Sequence, residues 1–166
     1  MRRWRLWFLL GVGGFGLVMA IIFGRERSVE ELIAQLQAPS AHDRADAVRR
    51  LGGMGAKAAP AAPALIGRLN DEGTVLIRTK MAWEKEWRDV PYSVGSLARD
   101  SLTMIGKPAV PALIEALRSG DAKVRREVVS ALGGISQEPD VRQRFGDSPE
   151  KWAEWWKRSE GKSEKK

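Results

Sequence analysis

A ten-residue run occurs twice in this chain. Pro60-Ala-Ala-Pro63-Ala-Leu-Ile66-Gly-Arg-Leu69 returns 48 residues later as Pro108-Ala-Val-Pro111-Ala-Leu-Ile114-Glu-Ala-Leu117, identical at seven of ten positions. A weaker copy stands upstream at Leu32, Ile33 and Leu36. A second kind of segment lies between or beyond these copies: Val48 to Gly55, Ala98 to Gly106 and Val128 to Ile135. Internal repetition of two alternating segment types constrains a fold more than composition does, because each unit buries its apolar face only against the next one.

The spacing predicts that both segment types are helices. Leu113, Ile114 and Leu117 fall at i, i+1 and i+4, and Val124, Val128, Ala131 and Leu132 at i, i+4, i+7 and i+8. Within the repeat, prolines stand in the opening turn of the second helix type, where a missing amide hydrogen costs little. Asp43, Ser93 and Asp121 stand where N-caps are wanted, and the glycines within 52–55 (Gly52, Gly53 and Gly55), at 106 and at 133 to 134 where the first helix type is expected to end. Stacked helix pairs of this kind form an α-solenoid.

The order Asp-x-x-Val-Arg, Ala-Leu-Gly-x-Ile and Ala-Val-Pro-Ala-Leu-Ile-x-Ala-Leu, present at Asp121 to Ile135 and Ala109 to Leu117, resembles bacterial HEAT repeats of the type also found in phycobilin lyases. The resemblance covers roughly residues 28–135 and implies a scaffold or binding module. A bilin lyase or lyase subunit is the enzymatic alternative it suggests. With no cysteine and a single histidine in the chain, the usual chemistry of such an enzyme has few residues to draw on.

Between Leu69 and Val94 the repeat is interrupted. Thr74 to Met81 is rich in β-branched and apolar residues and reads as one strand of a β-hairpin turning near Glu84 to Glu86. A helix over Lys80–Asp89, with Trp83 and Trp87 on one face, is the competing reading. Trp83 and Trp87 serve either as a contact site or as a cover for the side of the solenoid. Near the end, Asp147-Ser-Pro149 starts a helix that places Trp152, Trp155 and Trp156 at i, i+3 and i+4, read as a cap on the last repeat. The Trp-x-x-Trp-Trp ending, and the insertion before Tyr92, are also similar to segments of some bacterial HEAT-repeat proteins.

Charge separates the ends from the middle. The chain carries 28 basic and 21 acidic residues, net +7. Residues 1–27 hold five arginines against Glu26, and 157–166 hold five basic groups against Glu160 and Glu164, so 28–156 retain 18 of each sign. A neutral body argues against a nucleic-acid-binding solenoid. The last residues, 159–166, read as a charged disordered tail.

Leu6 to Gly24 lacks any charged side chain, and nineteen residues at a helical rise span roughly 28 Å, about the thickness of a bilayer's hydrocarbon core. With Trp4 and Trp7 at its boundary, the segment 4–24 is expected to be one transmembrane helix. Arg2, Arg3 and Arg5 before it favour a cytoplasmic N-terminus, leaving the repeat domain outside the cytoplasm at the cell membrane. Secretion after cleavage behind Val18-Met19-Ala20 is the alternative. Gly16, Ala20 and Gly24 form a small-residue stripe through which two such helices could form a homodimer.

No catalytic constellation is found. His42, Asp43 and Asp46 cluster, yet no nucleophile or phosphate loop answers them. The expected protein is therefore all-α: a short HEAT-type α-solenoid (28–146) with an inserted β-hairpin (71–92), a Trp-rich capping helix (147–158) and one preceding transmembrane helix within 1–27. Its expected role is non-enzymatic, without metal or cofactor, holding a protein partner on the concave surface of the solenoid or through the hairpin, with Arg49, Arg99 and Arg125 as a candidate polar contact stripe.

Overall fold

A computed structural model describes residues 27–80 and 86–163, and side chains only as far as residue 160. Helices α1 (Val29–Gln35), α2 (Ala41–Gly53) and α3 (Ala62–Ile66) come first, with a 3₁₀ turn over Gly55–Ala61 leading into α3. Strands β1 (Thr74–Thr79) and β2 (Arg88–Ser93) follow, then α4 (Val94–Ile105), a 3₁₀ turn over Lys107–Ala109, α5 (Val110–Ala116), α6 (Ala122–Ser136), α7 (Val141–Phe145) and α8 (Pro149–Ser163). The helices form two layers. In one, α2 packs on α4 and α4 on α6. In the other, α1 packs on the Gly55–Ala61 turn, α3 on α5, and α5 on α8.

Between the layers lies one continuous apolar core in which Leu36, Val48, Leu51, Leu65, Leu102, Leu113 and Leu132 have no exposed surface. These are the repeat positions, so the sequence periodicity and the core coincide. The prolines act as spacing predicts: Pro63 and Pro111 lie in the first turns of α3 and α5, each entered through its 3₁₀ turn. The α2–α4 crossing is close because Gly52 has no side chain. A Cβ there would lie 2.6 Å from Ser101 Oγ, the hydroxyl that donates to the Val48 carbonyl across the interface at 2.8 Å.

Loops along one edge of the stack are tied by polar groups. The Arg44 guanidinium donates to the Ala38 and Pro39 carbonyls at 2.9 and 2.7 Å and grips Asp71 with two bonds of 2.6 and 3.0 Å. Asn70 then donates to Asp121, and Lys123 pairs with Glu72 at 2.9 Å. Further along, Arg125 repeats the pattern of Arg44, donating to the Ser119 carbonyl at 2.8 Å and to Asp147 at 3.0 Å.

Several expectations are corrected. The class is not all-α, although the expected inserted β-hairpin is present. It is mostly helical with a small two-stranded antiparallel sheet, and among the described residues no helix is long and apolar enough to cross a membrane. The sheet is integral because β2 runs straight into α4 and the inner face of the hairpin, Val75, Ile77 and Tyr92, packs on the core. The span expected over 4–24, with its Gly16, Ala20 and Gly24 stripe, lies outside the described residues, as do all the residues of the expected anchor up to 26.

Smaller differences have local causes. The N-cap of α2 is Ser40, whose backbone is extended and whose hydroxyl accepts from the Asp43 amide at 3.4 Å; Asp43 itself is already in the first turn. Ser93 and Asp121 do cap α4 and α6. Gly133 and Gly134 do not end α6, which continues to Ser136 and stops at left-handed Gln137. Their lack of side chains serves packing instead, since a Cβ would meet Arg142 Cδ at 2.5 Å or Thr103 Cγ2 at 2.8 Å. Helix α8 reaches Ser163, into the segment read as a tail.

Candidate functional site

The hairpin departs from the loop edge between α3 and α4. β1 and β2 pair in a register that sets Thr74 opposite Ser93, Leu76 opposite Pro91, Ile77 opposite Val90 and Thr79 opposite Arg88. Side chains alternate across a strand, so the two faces have different fates. On the inner face Val75 and Ile77 are half-buried, whereas on the outer face Thr74, Leu76, Arg78, Asp89 and Pro91 are exposed. Leu76 is 70% exposed and Trp87, just before β2, is 59% exposed. Continued alternation from Asp89 puts Trp87 on the same outer face. Leu76 beside Pro91, and Trp87 beyond the Arg78–Asp89 pair, are thus exposed on a ribbon whose other side packs on the core. Trp83 lies outside the described residues.

Sequence reasoning singled out Trp87 by residue type but passed over Leu76 and Pro91. A leucine in an apolar strand reads as core, and the only signal against it is parity: Leu76 shares its face with Thr74 and Arg78.

The arginines expected to form a polar stripe differ in their surroundings. Arg49 is exposed on α2. Arg99 on α4 pairs with Asp100 at 2.7 Å and with Glu127 on α6 at 3.3 Å. Arg125 is engaged in the loop ladder described above. His42 and Asp43 are exposed at the start of α2, and Asp46 pairs with Arg50 at 2.8 Å and Arg27 at 3.6 Å. Among the described residues no group of three or more His, Cys, Asp or Glu side chains is placed to hold a metal ion.

The tryptophans of α8 are structural in their surroundings. Trp152 is fully buried, donates from Nε1 to the Gly146 carbonyl at 3.0 Å and meets Phe145 edge-on with ring centres 5.1 Å apart. Trp155 stacks edge-on against Trp152 at 5.6 Å and donates to Glu138 at 2.9 Å. Trp156 lies half-buried beside them.

Residues 101–137 match the Armadillo/beta-catenin-like repeat, a stretch that begins within α4 and ends just after α6. Neither the curated proteins nor the solved structures contain a match to the chain.

Proposed function

The chain is a helical repeat protein, and we propose that it is a non-enzymatic scaffold that holds a protein partner on the outer face of its hairpin. The observation carrying this reading is the exposure of Leu76 and Trp87 on the outer side of a hairpin whose inner side is packed on the core. Large exposed apolar groups grouped on a surface mark interaction sites, and tryptophan is prominent among residues that dominate interface energies. A partner meeting this face would find them presented by a backbone already ordered, which lowers the entropy lost on binding. Arg78 and Asp89, opposite each other between Leu76 and Trp87, add polar groups of both signs to this face. The Armadillo-type match of residues 101–137 accords with a scaffold, since solenoids present extended surfaces to partners.

Affinity capture with the full chain tests this. Proteins retained by the parent are expected to be lost with Leu76→Ser or Trp87→Ala and kept with Met104→Ala, which removes a comparably exposed apolar side chain, 61% exposed, from the end of α4. Equal capture by all four proteins would remove the hairpin from the interface.

A further inference from the structure

A second surface, on the layer of α2, α4 and α6, has the opposite chemistry. An open cleft of ≈ 480 Å³ lies where α4 and α6 meet α7. Its rim carries Arg126 from α6 and Arg142 from α7, and neither guanidinium makes a hydrogen bond or ion pair with a described residue. This contrasts with Arg99, also in the lining, whose charge is met by Asp100 and Glu127. Arg142 is seated by its stem: its Cγ and Cδ lie over Gly133, where a Cβ would approach both to 2.5 Å. Val129 supplies an apolar patch within the cleft, and Ser130 and Gln143 add neutral polar groups to its wall.

We propose that this cleft binds an acidic segment of a partner protein, with Arg126 and Arg142 each taking a carboxylate and Val129 an aliphatic side chain between them. The guanidinium fork matches a carboxylate with two parallel hydrogen bonds. Ser130 and Gln143 can meet the peptide backbone. Val129 decides between anionic polymers: an acidic peptide can set an aliphatic side chain on this apolar patch, which a sugar–phosphate backbone cannot. The peptide ligand rests on the partner-binding reading above, whereas the residues involved are separate from the hairpin.

The test is fluorescence anisotropy of the full chain with a short labelled peptide of alternating glutamate and leucine. Its isosteric glutamine–leucine peptide and a short labelled thymidine oligonucleotide serve as comparisons. The acidic peptide is expected to bind in preference to both and to weaken as salt is raised. Arg126→Gln with Arg142→Gln should weaken it about ten-fold or more, the scale of a lost charged hydrogen bond. Glutamine keeps the Cβ, Cγ and Cδ positions of Arg142, so the packing over Gly133 is retained, and matching circular dichroism checks the fold. Trp87→Ala should leave this affinity unchanged. Absence of binding by the parent, equal binding by the double variant, or preference for either comparison probe overturns the site. Hairpin-dependent capture that survives such a result would leave the partner-binding reading standing, whereas loss of that capture with peptide binding intact would separate the two in the other direction.

Discussion

Arg44 and Asp71 show how single residues hold units of this stack in register. Asp71 lies between Arg44 and the Gly73 amide, which donates to it at 2.9 Å. The Arg44 hydrogen bonds hold its carboxyl below the ordinary aspartate range; burial opposes them, and the Gly73 N–H and the charges of Arg44 and Arg68 assist. A carboxyl whose folded value is depressed contributes stability that is fully present above its unfolded value and is lost as pH falls through the folded one. Asp71→Asn is therefore expected to lower stability at neutral pH by about 1.5–3 kcal/mol, the scale of hydrogen bonds to a charged group. The difference from the parent should shrink as the medium is acidified through and below the carboxylate range. Urea unfolding over a pH series measures both, and a difference that does not vary with pH would refute this account. Such a pair was not legible in the sequence, because Arg44 and Asp71 are separated by a whole repeat unit and neither residue type announces its partner. The choice of Ser40 over Asp43 as a cap was hidden for a related reason: both types cap helices, and only the extended backbone of Ser40 decides between them.

At the scale of elements, the helices were readable wherever apolar spacing and proline agreed, as over Pro108–Leu117. The strand over Thr74–Thr79 was readable from its β-branched residues, but the faces of the hairpin depend on register, which pairing rather than composition sets. Glycine misled at Gly133 and Gly134, where it permits close approach rather than ending a helix. Helix α8 supplies the clearest elementwise energetic expectation. Trp152 joins α8 to the core through full burial, an indole hydrogen bond and two aromatic contacts. Trp152→Ala should cost about 3–5 kcal/mol, read as a lowered urea midpoint. A change within experimental scatter would mean that α8 merely rests on the stack.

For the whole molecule, two helical layers and a ladder of loop contacts give a stack in which each unit has neighbours both across the core and along one edge. The balanced charge of residues 28–156 conceals local imbalance: paired arginines support the ladder, while Arg126 and Arg142 face the cleft unmatched by described residues. The hairpin emerges from the ladder edge, and its base is unusually well fastened. Ser93 is both the last residue of β2 and the N-cap of α4, accepting from the Ser96 amide at 3.1 Å. The next two amides, Val94 and Gly95, donate to the Gly73 and Asp71 carbonyls at 2.8 and 2.9 Å. A ribbon joined this way is a handle without a hinge. Load applied at Leu76 or Trp87 passes into the first turn of α4 before it can be spent in bending a linker. Occupation of the outer face at Leu76 and Trp87 should consequently slow hydrogen exchange at the Val94, Gly95 and Ser96 amides at the base of the ribbon, and unchanged exchange there would show that the joint yields. Such a joint lets a grip on the ribbon be felt as tension in the stack itself.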